Sequence, residues 1–341
     1  MPRELNFTEA ILEAQDQLLE RYPDVFIIGE GVPDPKAIFG TCKGLAKKYP
    51  GRVFDSPVSE AGVTGVCIGA AIAGLRPIHI HQRMDFSLYA MDQIVNNLAK
   101  WKSMFGLERD LGMVIRMTVG RGWGAGNQHA QNLEALFAHI PGLQVLVPHD
   151  AASAKGLLIY AVESGKPTIF IEHKWLHNNI SNVDQNFYSD TEMIKYTEGT
   201  EDVTIVTWGS ASLVAKRAAE LTGAQLVIMN ELDPYHLNEH FKVNMFTKNI
   251  IVVSDAWERG GFASEVIAHL AVGSRGVKFS AITCGQSYPP SSHLKSKGFY
   301  PTTNEIIDEI KQMTGKYFDY ESESMIPRDV DPHLGKVISA I

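Results

Sequence analysis

Cysteine is scarce: Cys42, Cys67 and Cys284 are the only three in 341 residues. An odd number so widely spaced excludes a disulfide framework and fits a reducing compartment, so a cytoplasmic location is expected. Long apolar runs are missing too. The longest, around Val63 to Leu75, is interrupted by glycines and falls short of a bilayer span, and Met1-Pro2-Arg3-Glu4 begins no secretory segment. No membrane association is expected. Basic clusters are absent: Lys and Arg are scattered under a formal net charge of −8, which argues against nucleic acid as a partner. Neither an internal repeat nor a low-complexity tract interrupts the chain. These absences leave a globular protein, and 341 residues suffice for two domains with separate cores.

Short apolar runs alternate with amphipathic segments, the pattern of an α/β fold with parallel sheets. Phe7 to Tyr22 reads as an opening helix with Thr8 as its N-cap. Strands are expected at Val25 to Gly31, Arg52 to Asp55, Leu75 to His81, Met113 to Thr118, Val145 to Pro148 and Pro167 to Glu172, with helices at Ser87 to Met104 and Ala151 to Ser164. Polar, Asn-rich sequence from Asn178 to Thr191 then breaks the alternation. It resumes with strands at 203–208, 225–229, 250–254 and 277–282 and helices at 212–221 and 262–271. The expected organisation is a first domain over 1–180, a linker over 181–196, a second α/β domain over 197–317 and an arm over 318–341.

The stretch Asp55-Ser56-Pro57-Val58-Ser59-Glu60-Ala61-Gly62, running into the small-residue segment to Gly74, carries the most chemistry. The segment reads as a helix packed on all sides, with Glu60 at its entrance. Two readings of Glu60 stand at this point. Desolvation would raise its pKa and fit it for proton exchange near neutrality; alternatively, it complements the dipole of a helix N-terminus. Gly120-Arg121-Gly122-Trp123-Gly124-Ala125-Gly126, followed by Asn127-Gln128-His129, comes after a strand, but its spacing is not that of a dinucleotide loop opening a helix. His79 and His81 alternate on one strand. No third ligand at metal-binding spacing accompanies them, so they read as core or site lining, and no metal site is assigned.

Gly29-Glu30-Gly31, Lys47 to Gly62, Ala73 to Ile78, Asp85-Phe86-Ser87, Met91 to Asn96 and Leu136 to Leu143 together resemble the beta subunit of thiamine-diphosphate-dependent 2-oxoacid dehydrogenases, in the transketolase-like superfamily. Order and spacing match over residues 5 to about 175, and more weakly through Gly260-Gly261-Phe262 to about 315. The resemblance implies a pyrimidine-binding domain with a parallel sheet, followed by a transketolase C-terminal-type α/β domain. It implies that Glu60 is the carboxyl that shifts the cofactor's aminopyrimidine toward its imino tautomer. Phe86 would lie against the pyrimidine, Gln82 would stand on the same approach, Glu30 would line the pocket, and His129 would exchange protons with the substrate or an arriving lipoyl group.

The implied reaction is oxidative decarboxylation of a 2-oxoacid with acyl transfer to a lipoyl carrier. The alternative is the pyrimidine-binding half of a split transketolase-like carbon–carbon ligase. The family holds the cofactor's diphosphate through Mg2+ on a Gly-Asp-Gly motif, which this chain lacks. The resemblance therefore implies an alpha-type partner that carries the Mg2+, a homodimer core in an α2β2 heterotetramer, and a lipoyl acyltransferase as a further partner. The chain departs from the family at Ala130, where many members have Ser, at Lys166, which makes a structural potassium ion doubtful, and in its long C-terminal arm.

Overall fold

The computed structural model describes residues 2–120, 125–237, 247–272, 274–296 and 298–318. Part of the glycine loop (121–124) and almost all of the expected arm lie outside the described residues. The chain divides into two compact units, one of Met1–Val119 with Leu136–Thr191, the other of Gly120–Ala135 with Glu192–Ile341. Gly120–Ala135, which sequence order places within 1–180, groups with the second unit.

In chain order, the first part of the molecule comprises β1 (Pro2–Asn6), α1 (Phe7–Arg21), β2 (Val25–Gly29), α2 (Leu45–Lys48), β3 (Val53–Phe54), α3 (Glu60–Ile72), β4 (Arg76–His81), α4 (Trp101–Phe105), β5 (Val114–Val119), α5 (Glu134–Ala138), β6 (Gln144–Leu146), α6 (Ala151–Ser164), β7 (Thr168–His173) and β8 (Ile180–Asp184). Six of the strands form one sheet in the order β3-β2-β4-β5-β7-β6, parallel throughout. Its inner strands β5 and β7 are buried at every position, including the polar Arg116, Thr118, Thr168, Glu172 and His173 that stand among their apolar residues.

Local chemistry sets the helix ends. α1 starts at a capping box in which Asn6 accepts from the Glu9 N–H and the Glu9 side chain accepts from the Asn6 N–H. Thr8, expected as the cap, lies inside the helix; its hydroxyl donates to the His177 carbonyl. α6 opens on a comparable box from Asp150 and Ser153 and stops at Gly165, whose φ of +66° suits glycine. The expected helix from Ser87 to Met104 is broken into a 3-10 turn (Met84–Ala90), a π-helical stretch (Asp92–Leu98) and α4. α3 does not pack on all sides. It buries Val63, Thr64, Cys67, Ile68 and Ala71 but leaves Val66 64% and Ile72 41% exposed.

The expected linker over 181–196 holds two strand segments. Ile180–Asp184 pairs antiparallel with β1, and β9 (Ile194–Thr197) forms the antiparallel edge of the second sheet. That sheet, ordered β13-β12-β10-β11-β9, is built from β10 (Val203–Trp208), β11 (Gln225–Met229), β12 (Asn249–Trp257) and β13 (Lys278–Cys284), which are mutually parallel where they pair. Helices α7 (Ala211–Thr222), α8 (Phe262–Ala271), α9 (His293–Ser296) and α10 (Thr303–Thr314) accompany it. Ile306, Ile307 and Ile310 of α10 join Ala215 and Ala218 of α7 over Val203 and Ile205, and Phe318 packs at the edge of this core.

The core of the first unit contains an ion pair. Arg116 donates through Nε and Nη2 to the two carboxylate oxygens of Glu172, at 2.6 and 2.8 Å, and through Nη1 to Gln15 Oε1 at 2.5 Å. Both charged side chains are buried. The bidentate contact ties β5 to β7, and Gln15 ties both to α1. Removing one partner leaves the other charge uncompensated, so Arg116→Met is expected to cost about 3–5 kcal/mol, with much of it recovered in Arg116→Met/Glu172→Met. Urea unfolding of both variants checks this; a single variant as stable as the parent would contradict it.

Candidate functional site

The chain runs from β2 outward to β3 and then returns to the other side of β2 to form β4. Connections therefore leave β2 and β4 in opposite directions, and the carboxyl ends of such strands open a crevice in an α/β sheet. A pocket lies there. It is lined by Glu30 after β2, by Ser56, Pro57, Ser59 and Glu60 between β3 and α3 with Val63, and by the end of β4 from His79 through Gln82, with Phe86.

The loops around it are braced by side chains. Asp55 Oδ1 accepts from the Gly31 and Ser56 N–H groups at 2.9 and 3.0 Å, while Gln82 Nε2 donates to the Glu30 carbonyl at 2.9 Å. Gly31 has φ +69°, and a Cβ there would sit 3.1 Å from Gln82 Nε2. Gly29 is constrained differently: a Cβ would lie 2.5 Å from the Ile80 carbonyl oxygen, so only glycine allows β2 to approach β4 this closely.

The pocket's electrostatics are acidic. Burial raises the Glu30 pKa, and the negative charges of Glu60 and Asp55 add to the effect. Glu60 is the first residue of α3, half-buried beside other carboxylates rather than enclosed by apolar side chains. The Ser59 side chain makes no capping bond there. His79 and His81 are buried and meet edge to face, with ring centroids 4.5 Å apart. Burial pushes His79 down to about 4, and burial together with neighbouring His79 holds His81 well below its ordinary value.

Glu30, Glu60, Gln82 and Phe86 thus come together in one pocket. His129 belongs to the second unit and is not among the lining residues. Its N–H donates to the Gly126 carbonyl at 3.3 Å. Farther along the same segment, Asn132 donates to Glu134 and Asp255, at 3.0 and 2.9 Å, and the Trp208 indole donates to Glu134 at 2.6 Å. This buried network was not legible in the sequence, because 123 positions separate Asn132 from Asp255. Ser56, Pro57, Ser59 and Val63 were also missed as lining; their signal was adjacency to Glu60.

This sheet, this pocket and the second α/β unit define a transketolase-type protein: residues 3–178 match the family model "Transketolase, pyrimidine binding domain" and residues 193–306 match "Transketolase, C-terminal domain". The chain belongs to the transketolase-like family that includes the beta subunits of pyruvate dehydrogenase E1 and acetoin oxidoreductase. It is 36% identical to the acetoin:2,6-dichlorophenolindophenol oxidoreductase subunit beta of Cupriavidus necator, over 80% of this chain and 85% of the relative. The Bacillus subtilis protein of the same name is 31% identical over 93% and 99%. The mitochondrial pyruvate dehydrogenase E1 component subunit beta of Saccharomyces cerevisiae is 31% identical over 89% and 87%. Among solved structures, a split gene transketolase in an inactive beta4 tetramer shares the fold, with a TM-score of 0.73 over 90% of this chain and 97% of that one, at 20% identity.

The buried imidazoles predict a pH dependence. A histidine whose pKa falls from 6.5 to about 4 on folding is held neutral by the fold. Its contribution to stability is whole above pH 6.5 and is lost as pH drops from there toward 4. Urea midpoints are expected to decline across that window, and to decline less in His79→Asn. An identical profile in the variant would remove His79 from the balance.

Proposed function

We propose that this chain is the beta subunit of a heteromeric thiamine-diphosphate-dependent 2-oxoacid dehydrogenase, which decarboxylates its substrate oxidatively and passes the acyl group to a lipoyl carrier. The observation that carries the reading is the gathering of Glu30, Glu60, Gln82 and Phe86 at the strand ends of a pyrimidine-binding domain. These residues fit an aminopyrimidine. Phe86 offers a flat apolar face, Glu60 a carboxyl for a ring nitrogen, and the buried Nε2 atoms of His79 and His81 have no hydrogen-bond partner among the described residues.

Bound thiamine diphosphate supplies a carbon nucleophile at C2 and an electron sink for the decarboxylation. The chain's own residues handle the proton. Glu60 exchanges it with the ring nitrogen, and Glu30, whose pKa burial raises, stands in the same pocket. Gln82 fixes the backbone of Glu30 and so the position of that carboxyl. His129 serves the substrate or the arriving lipoyl group as a proton donor or acceptor.

The diphosphate and its Mg2+ require oxygen ligands that the missing Gly-Asp-Gly motif would supply, so we assign them to an alpha-type partner. The assembly would be α2β2 around a beta homodimer, with a lipoyl acyltransferase as downstream partner. Three buried cysteines, none of them in a disulfide, support a reducing, cytoplasmic setting.

Glu60→Gln changes side-chain volume little and is expected to leave the fold intact while lowering turnover by roughly 10²–10⁴, the loss expected for an acid–base group. Hydrogen–deuterium exchange at thiamine C2 in the reconstituted enzyme measures the step directly, and an unchanged rate would sink the assignment. Calorimetric titration tests the partner. The isolated chain is expected to bind thiamine diphosphate weakly, and tight Mg2+-dependent binding should appear on adding an alpha-type subunit. Tight binding without one would refute the division of the site. Reductive acylation of lipoamide, against ligation of the two-carbon unit to an aldehyde, separates the dehydrogenase from a split transketolase-like ligase.

A further inference from the structure

The second sheet has a topological switch point of its own. From β10 the chain adds β11 on one side and then β12 on the other, both parallel to β10. The carboxyl ends of β10 and β12 therefore bound a crevice, the place where sheets of this kind take their ligands. Here a segment of the chain itself sits between them. Glu134 is fully buried, and its carboxylate spans both strand ends: Oε1 accepts from the Trp208 indole of β10 at 2.6 Å and from the Ser254 hydroxyl of β12 at 3.3 Å. Asp255, the next residue of β12, accepts from the hydroxyl of Ser210, just beyond β10.

Asn132 locks the segment into that crevice. Its Nδ2 gives a hydrogen to Glu134 Oε2 at 3.0 Å and to Asp255 Oδ1 at 2.9 Å, and its Oδ1 accepts the Glu134 N–H at 3.3 Å. An amide between two carboxylates satisfies both, and hydrogen bonds to ionised acceptors are the strong ones. Without the amide, two like charges would face each other. A second contact holds the segment at its other end. Gly126 has φ +64°, and any Cβ there would collide with Ser291 Oγ, so the backbone lies directly against the loop that follows β13. His129 stands between the two anchors, and its N–H donates to the Gly126 carbonyl. By its contacts Gly120–Ala135 belongs to the second unit, although its neighbours in sequence, Val119 and Leu136, belong to the first.

We propose that Asn132 is a positioning residue that acts through His129, and that the second unit uses its switch-point crevice to hold the segment bearing both. The inference rests on the reading of His129 given above and deepens it. A group that exchanges protons must stand within hydrogen-bond reach of its target, and a displacement of about 1 Å costs on the order of 10²-fold in rate. Anchors on both sides of His129 limit the backbone states open to it, so the ordering is done before substrate arrives.

The test uses the chain reconstituted with an alpha-type subunit and thiamine diphosphate. Peptide-level hydrogen exchange reads the anchoring itself: in Asn132→Ala, the amides of residues 126–135 should exchange faster than in the parent, while those of β10 and β12 keep their protection. Unchanged exchange in that segment would overturn the inference. A double-mutant cycle reads the action through His129. Asn132→Ala should lower turnover with the enzyme's acceptor by roughly 10–10²-fold, yet cause no further loss in the His129→Ala background, and hydrogen–deuterium exchange at thiamine C2 should stay at the parental rate. Asp255→Asn, which keeps an oxygen acceptor for Asn132, should retain most of the turnover. Gly126→Ala displaces the segment at its other end and should show the same coupling to His129, which keeps the test decisive if Asn132→Ala fails to fold. Losses that add across the cycle, or a fully active Asn132→Ala beside an impaired His129→Ala, would refute the inference and leave the His129 reading standing. A His129→Ala variant as active as the parent would refute that reading, and the inference with it.

Discussion

The reversal of strand order at β2, with β3 added on one side and the parallel β4 on the other, governs the chemistry of the first unit. Because β3 lies on one side of β2 and β4 on the other, the loops leaving the two carboxyl ends part and open a crevice. The strands below must nevertheless stay close. Gly29 permits this, since any Cβ would strike the Ile80 carbonyl. From that approach follow the positions of Glu30 just beyond β2 and of His79, His81 and Gln82 on or beyond β4. The bond from Gln82 to the Glu30 carbonyl then spans the opening, and Asp55 braces the third side through the Gly31 and Ser56 N–H groups. A pocket that parts two strand ends is thus held at a fixed width by two side chains.

Within that frame the charges oppose one another. Burial raises the Glu30 pKa, and the negative charges of Glu60 and Asp55 add to it. Asp55 is compensated by two backbone donors, and Glu60 stands at the positive end of α3. Glu30 is left with burial and repulsion, so the pocket favours an occupant that brings protons or positive character.

Much of this was legible in the sequence because strands and helices in parallel α/β proteins carry strong local signals. The strand over 203–208 and the helices over 151–164 and 262–271 stand where periodicity put them. The site was legible in part: Glu30, Glu60, Gln82 and Phe86 belong to contiguous motifs, and the structure brings them together. Illegible were features made by distant partners. β1 and β8 are short and polar at several positions, and only their mutual pairing makes them strands. Thr8 looked like a cap because its type suits one, but Asn6 and Glu9 supply both bonds of the capping box and start the helix earlier. The 3-10 and π stretches from Met84 to Leu98 have the composition of an ordinary helix, so hydrogen-bond pattern alone distinguishes them.

The largest departure concerns α3, whose sequence is apolar almost throughout. A helix of that composition is normally enclosed. Here one side is buried through Val63, Cys67, Ile68 and Ala71, while Val66 and Ile72 remain exposed beside glycines at 62 and 69. The composition was therefore not misleading about apolarity, only about what covers it. An apolar helix side with small residues lets another backbone come close, and it starts at Glu60, on the rim of the pocket. A subunit seated there would bury the exposed valine and isoleucine and bring its own groups to the mouth of the same pocket. The exposed side of α3 and the rim of the pocket meet at Glu60, so whatever covers the one stands beside the other.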